Sequence, residues 1–441
     1  MRLGGRLAAA IDVLETLETQ RRPLAQVLKD WGHAHRFAGS GDRAAIGNLV
    51  HDALRYRRSL AARMGDDSAR AAVLATASLL PGYLEDGLPD FEDDRFAPDP
   101  LTEAEQAALS GARSASIGGA AAADCPDWLW PSFGRVFGDR AADEIAALAA
   151  RAPVDLRLNP LRSAAPRVEK ALARFKPKKD PAFPLLRRVP VGEGFARTAH
   201  LTSEAVYQKG WIEVQDAGSQ TVTELALAGI KPRTVLDLCA GAGGKTLALS
   251  VFMGGKGQVF AHDIDRRRMA DLWPRVKRSG AHNIQVIEPD ALPHHEHADT
   301  GFDLVLVDAP CTGTGTWRRH PDTKWRVRET ALQNRIGEQA QVLETAAKLI
   351  KPGGRLAYVT CSLLAEENED QLLRLLAAHP DLKPVSASTL FGALERDVIP
   401  GYLPALAFED YEAGVLGARL TPLSSSTDGF FIGCLQRAKH P

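Results

Sequence analysis

Residues 302–315 read FDLVLVDAPCTGTG. An apolar run from Leu304 to Val307 stops abruptly at Asp308-Ala309-Pro310-Cys311. A short, continuously apolar run closed by a proline turn predicts a strand buried on both faces, as in a parallel sheet. Such a strand delivers a carboxylate and a thiol to its carboxyl end, the edge at which open α/β sheets bind ligands. A second run, Leu356 to Val359, ends in Thr360-Cys361, so one sheet edge can hold two thiols.

From about Val206 onward strands alternate with helical patterns, which predicts a doubly wound, mostly parallel α/β sheet. The expected strands are Val235 to Leu238, Val259 to Ala261, Ile284 to Ile287, Leu304 to Val307, Leu356 to Val359 and Gly429 to Leu435. Residues 1–80 repeat apolar side chains at helical spacing, as at Leu7, Ile11, Leu14 and Leu17, and predict an all-helical domain. Arg43, Arg55, Arg57 and Arg58 are its candidates for an RNA-facing surface. Between residues 85 and 105 nine acidic residues face one basic residue, interspersed with prolines, so 81–126 is expected to be a linker. Residues 127–205 predict a small α/β domain, with VDLRLNPLR as a strand and RVEKALARF as a helix. Residues 151–200 carry twelve Lys or Arg against four Asp or Glu, a charge suited to phosphate contact. Residues 206–441 form the last expected domain.

The totals narrow the class. A chain of 441 residues suits two or three domains. The formal net charge of -1 excludes a global basic field. Five cysteines without a CxxC pair argue against a disulfide framework and structural zinc, and for a reducing compartment. Asp12 and Glu15 interrupt the first apolar stretch, which makes a poor secretory signal, and no apolar run has membrane-spanning length. The expectation is a cytoplasmic protein without membrane association, with no obligate protein partner evident. No metal is expected, because His294, His295 and His297 lack a further partner at ligand spacing.

TVLDLCAGAGGKT is a strand followed by a glycine turn, in which Gly241, Gly243 and Gly244 let the backbone approach a ligand before a helix begins. Neither a Walker phosphate loop nor GxGxxG is present. Asp263 closes the next strand, 22 residues after Gly241, where a carboxylate can accept hydrogen bonds from a ribose diol. Asp265 is either its partner or a helix cap. Asp290 follows the third strand and could meet an adenine amino group. Three aspartates at successive strand ends describe a nucleoside pocket, and the lack of a triphosphate-binding lysine loop favours S-adenosylmethionine. Lys245 either faces the site or RNA, or simply opens the next helix.

Carbon 5 of a pyrimidine is too weak a nucleophile to take a methyl group unaided. A thiolate that adds at carbon 6 makes carbon 5 enamine-like, which divides one hard step into easier ones. Asp308 could hold the ring and stabilise charge during addition. Either Cys311 or Cys361 could attack, with the other helping release, whereas Cys239 and Cys434 read as inert core thiols. TWRRHPDTKWRVR, residues 316–328, interleaves Trp317 and Trp325 with Arg318, Arg319, Lys324, Arg326 and Arg328, which reads as a single-strand RNA-binding composition, with a surface loop of two buried indoles as the lesser alternative.

LDLCAGAGGKT, DAPCTGTGTWRRHPDTKW and YVTCSLLAEENE, in this order and spacing, resemble the three signature motifs of the bacterial ribosomal RNA cytosine-5 methyltransferases of the RsmB (Sun/Fmu) type, within the RsmB/NOP family. The similarity covers roughly residues 128–435, and GDRAAIGNLVHDALRYR is similar to the NusB-type RNA-binding domain that members carry. The resemblance implies a class I, Rossmann-like methyltransferase that uses S-adenosylmethionine, with 16S ribosomal RNA as partner. It implies Cys361 as nucleophile, Cys311 in product release and Asp308 as the substrate-side acid, which also borders the cofactor. It implies a cofactor loop of Cys239, Ala240, Gly241, Ala242, Gly243, Gly244 and Lys245, with Asp263 at the ribose and Asp290 at the adenine. One departure is Gly241-Ala242 where members carry alanine-proline, which should loosen the turn while leaving side-chain functions in place. Rival readings are a transfer RNA cytosine-5 methyltransferase and a non-catalytic RNA-binding assembly factor. A DNA methyltransferase fits less well, since its attacking cysteine needs no Thr-Cys partner.

Overall fold

A computed structural model describes residues 1–89, 91, 94–111, 117–181, 183–394 and 417–439. The chain forms two compact units, one of Met1–Ala152, Val191–Ala199 and Thr316–Val327, the other of Pro153–Pro190, His200–Gly315 and Arg328–Pro441.

The first unit is helical. Helices α1 (Leu3–Gln20), α2 (Leu24–Ala34), α3 (Ser40–Arg55), α4 (Arg57–Met64) and α5 (Ala69–Leu79) bring the periodic apolar positions together, with Leu7, Val13, Leu14, Ile46, Leu49, Val50 and Val73 in one core. Burying each such side chain contributes about 1.5–3 kcal/mol. Ser68 caps α5 by accepting the amide of Ala71 at 3.1 Å. Within the acidic stretch read as a linker, α6 (Glu103–Gly111) is fixed by reciprocal capping between Thr102 and Glu105, and Arg70 donates to both Glu105 oxygens at 2.6 and 3.1 Å. Residues 112–116 of the neighbouring Ala/Gly/Ser-rich run lie outside the described residues.

The arginines read as RNA-facing are instead engaged inside this unit. Arg55 is buried against Asp52 at 3.1 Å, Arg57 pairs with Glu18 at 2.6 Å, Arg58 pairs with Asp127 at 2.6 Å, and Arg43 donates to the Ala38 carbonyl at 3.0 Å. Arg151 binds Asp52, the Tyr83 hydroxyl and the carbonyls of Gly192 and Gly194, which ties residues 191–199 to the helices.

The second unit contains two sheets. The smaller is antiparallel, in the order β2-β3-β1-β4, with β1 Val154–Leu158, β2 Lys178–Asp180, β3 Phe183–Val189 and β4 Ile212–Val214. Its pairing therefore continues past residue 205. Part of the basic excess of this region is structural, since Arg188 pairs with Asp155 at 2.7 Å, Arg187 with Glu169, and buried Arg157 donates to Gln215 at 2.8 Å.

The larger sheet, among the described residues, has eight strands in the order β10-β12-β9-β8-β5-β6-β7, with β11 paired to β12. These are β5 Thr234–Asp237, β6 Gln258–His262, β7 Ile284–Ile287, β8 Phe302–Asp308, β9 Ile350–Thr360, β10 Leu382–Val385, β11 Ala418–Leu420 and β12 Phe430–Arg437. Strands β5 to β9 are mutually parallel where they pair, and β12 runs antiparallel to β9. The alternation of side chains along β8 explains its unbroken apolar run. Val305 and Val307 join a core with Leu343, Ala346 and Leu372, while Leu304 and Leu306 join another with Val222, Leu225 and Leu249. Strand order reverses direction between β5 and β8, and a ligand crevice forms at the carboxyl ends flanking such a switch point.

Candidate active site

The glycine turn leaves β5 at this switch point. Leu238 donates to the Leu306 carbonyl at 2.9 Å, Ala240 to that of His262 at 2.8 Å, and Gly243 to that of Ala240 at 2.8 Å. Gly241 and Gly243 have φ of +48° and +83°. A Cβ on Gly243 would lie 2.1 Å from Leu272 Cδ1, so glycine there serves close packing. At Gly241 a Cβ would meet only Asp263 Oδ2, at 3.9 Å, which leaves that face of the loop open. The helix Gly244–Phe252 then points its amino end at the same space.

Asp263 lies against this loop and accepts the amides of Gly241 at 3.0 Å and Asp265 at 2.9 Å. Asp265 in turn accepts the Arg267 amide at 2.9 Å, the behaviour of a turn cap. Asp290 is exposed in the short 3-10 helix Pro289–His294 that follows β7. Buried Asp237, at the end of β5, accepts the Thr246 hydroxyl at 2.6 Å, and burial pushes its carboxyl up to about 7. Cys239 packs half-buried on the sheet core, and burial raises its thiol well above the ordinary range. Cys434 is buried in β12 and is pushed up to about 12 by the same cause.

The two strand-end cysteines meet. Parallel pairing of β8 with β9, extended by the amide of Ala309 on the Val359 carbonyl at 2.9 Å, brings Cys311 Sγ to 3.4 Å from Cys361 Sγ. The contact with Cys361 and then burial hold the Cys311 thiol well above its ordinary pKa. Lys245 Nζ donates to Asp308 Oδ2 at 2.7 Å and lies 5.1 Å from the Phe430 ring centroid. Burial works against the Lys245 ammonium, but Asp308 outweighs it and raises its pKa above the usual lysine value. Lys245 therefore faces the site as well as opening its helix.

Sequence reasoning did not single out the groups beneath the Pro-Cys loop. Glu367, fully buried, accepts the Thr312 amide at 2.8 Å and hydroxyl at 2.5 Å, and Gln339 donates to both Glu367 and the Pro310 carbonyl. On the Thr-Cys side, Asn368 accepts the Thr360 hydroxyl at 2.5 Å and donates to the Ser362 carbonyl at 3.0 Å. Glu367 and Asn368 both fall inside YVTCSLLAEENE, where only their polarity on a short turn after a strand could have flagged them.

The segment Thr316–Val327 is not an open platform of rings and charges. It belongs to the helical unit, where Trp317 is 1% exposed against Phe133, with ring centroids 5.4 Å apart. Lys324 donates to the Arg55 carbonyl at 3.0 Å and the Trp325 indole to that of Leu54 at 2.7 Å. His295 and His297 stack on the edges of Phe260 and Phe302, and among the described residues no cluster of His, Cys, Asp and Glu could hold a metal. No helix among those residues is long and apolar enough to cross a membrane.

Residues 224–436 match the family described as 16S rRNA methyltransferase RsmB/F. The chain is 31% identical over 317 residues to the probable ribosomal RNA small subunit methyltransferase B of Synechocystis, covering 71% of this chain and 67% of that one. It is 36% identical over 225 residues to the ribosomal RNA small subunit methyltransferase B of Sodalis glossinidius, covering 51% of this chain and 46% of that one, so the match spans under half of that relative's length. The crystal structure of PH0851 shares the fold across 99% of both chains, with a TM-score of 0.72 at 22% identity.

Proposed function

The chain belongs to the RsmB/F family of 16S rRNA methyltransferases, and from that premise we propose that it moves a methyl group from S-adenosylmethionine to carbon 5 of a cytosine in 16S rRNA, through a covalent cysteine adduct. The observation that carries this reading is the pair of thiols 3.4 Å apart at the sheet edge that also presents Asp308 and Lys245.

Cys361 is assigned the attack. Its sulfur bonds to carbon 6, and the electron pair of the 5,6 double bond moves toward the ring nitrogen and oxygen, which makes carbon 5 nucleophilic. Asp308 holds the pyrimidine edge, and its partner Lys245 offsets negative charge that develops on the ring. Bound S-adenosylmethionine supplies an electrophilic methyl to carbon 5. The carbon 5 proton then leaves to a base, its bonding pair restores the double bond, and the carbon–sulfur bond breaks to free Cys361. Cys311, protonated beside Cys361, assists this elimination.

The residues fit the cofactor. The loop Cys239–Lys245 offers backbone at an open glycine face, Asp263 stands beside it as the ribose acceptor, and Asp290 is assigned to the adenine side. The helical unit is read as including a NusB-like RNA-binding domain in residues 1–80, and the small sheet of β1 to β4, with its basic side chains, as a second RNA-binding surface. The target base must leave its stack to reach two thiols in a sheet-edge crevice.

The test is methyl transfer from labelled S-adenosylmethionine to unmodified 16S rRNA, with transfer RNA as a control. Transfer to 16S rRNA alone is expected, falling to the enzyme-free level for Cys361→Ala. Full turnover by Cys361→Ala would move the attack to another residue, and preference for transfer RNA would overturn the substrate.

A further inference from the structure

We propose that Glu367 is a positioning residue for Cys311, clamping the loop that carries its thiol during release of Cys361; this rests on the two-cysteine reading above. Residues 309–313 lie outside helices and strands, so little of their backbone is fixed by regular pairing. Side chains fix the loop instead. Both donors of Thr312, its amide at 2.8 Å and its hydroxyl at 2.5 Å, end on the Glu367 carboxylate. Gln339 Nε2 bridges from Glu367 at 3.1 Å to the Pro310 carbonyl at 2.9 Å. Cys311 is therefore held on both sides, by Pro310 and by Thr312. The Tyr358 hydroxyl, on β9, donates to the Glu367 carbonyl at 2.6 Å and anchors the clamp to the sheet.

One carboxylate oxygen takes the Thr312 and Gln339 amides and the other takes the Thr312 hydroxyl, so a single side chain closes all three contacts. A glutamine could keep its oxygen on the two amides and turn its amino group to the Thr312 hydroxyl, which can accept as well as donate, whereas an alanine removes all three contacts. Burying a carboxylate among neutral donors costs stability, and fixing a reactive loop is a return that an apolar core residue could not give.

The experiment compares Glu367→Ala and Thr312→Val with wild type and Cys311→Ala on unmodified 16S rRNA. Thr312→Val keeps the side-chain shape and removes only the hydroxyl contact. Turnover, S-adenosylmethionine affinity and the protein–RNA adduct on denaturing gels are read together. Both clamp variants are expected to bind cofactor as wild type does and still attack. Turnover should fall by up to about 10²-fold for a thiol misplaced by about 1 Å, with methylated adduct accumulating as for Cys311→Ala. A purely structural Glu367 would give loss of cofactor binding or of turnover without adduct. That result in either variant that folds, or wild-type turnover in Glu367→Ala, overturns the proposal. If Glu367→Ala does not fold, Thr312→Val decides. Absence of adduct with Cys311→Ala overturns the two-cysteine reading itself, and the role of Glu367 with it, whereas adduct with Cys311→Ala alone removes only Glu367.

Discussion

Gly241 and Gly243 stand two residues apart in one turn and do different work. Both have φ in the left-handed region, where a side chain costs about 1–2 kcal/mol. Only Gly243 would also drive a Cβ into Leu272, at 2.1 Å. Gly243→Ala should therefore lower unfolding stability by about 2–4 kcal/mol and weaken cofactor binding with it. Gly241→Ala should cost only about 1 kcal/mol of stability yet place a methyl on the open face of the loop, so that affinity falls more than stability. Thermal unfolding beside calorimetric titration with S-adenosylmethionine separates the two, and equal stability losses would contradict the assignment of the open face. At this scale the sequence was legible where a residue type has few uses. Cysteine after a strand, aspartate after a strand and glycine in a turn each pointed to the candidate site. Lys245 and Glu367 were less legible, because their roles depend on partners 63 and 55 positions away.

The segment Thr316–Val327 shows where composition misleads about an element. Tryptophans interleaved with lysine and arginine suit a platform for unstacked bases, and they suit a buried cluster equally well. Here Lys324 Nζ lies 5.5 Å from the Trp317 ring centroid and 5.0 Å from that of Trp325, inside the helical unit. Periodicity cannot reveal this, because the docking partners Leu54, Arg55 and Phe133 are remote in sequence. Burial pushes the Lys324 ammonium down to about 8, against the opposing pull of Asp124. A lysine whose folded pKa lies below its unfolded value of about 10.4 binds fewer protons when folded throughout the interval between them. Its contribution to stability therefore rises with pH from about 8 to about 10.4. The stability of wild type relative to Lys324→Met should rise across that window by at most about 3 kcal/mol, read from denaturant unfolding at matched pH. A flat difference would show that Lys324 keeps an ordinary pKa.

Over the whole chain, the most legible feature was the parallel sheet. A strand buried on both faces leaves an unbroken apolar run with no surface alternation to blur its ends, and Leu304 to Val307 is such a run. The helices of residues 1–80 were readable for the corresponding reason, a regular apolar stripe. What the linear order hid was the assembly of the helical unit from three separate segments, with residues 191–199 held by Arg151 and Asn48. Single arginine or asparagine contacts leave no periodic trace. Likewise β4 looked like part of the following domain until its pairing with β1 placed it in the small sheet. The proposed chemistry at the sheet edge turns on which of two thiols 3.4 Å apart would form the bond to RNA. The measurement that tests this most directly uses 16S rRNA carrying 5-fluorocytidine, whose fluorine cannot leave as a proton does, so that the adduct persists after methyl transfer. Digestion and mass spectrometry of the trapped complex should place the modified nucleotide on the peptide that contains Cys361. Attachment at Cys311, or methyl transfer to ordinary rRNA without any adduct to the fluorinated one, would contradict the account.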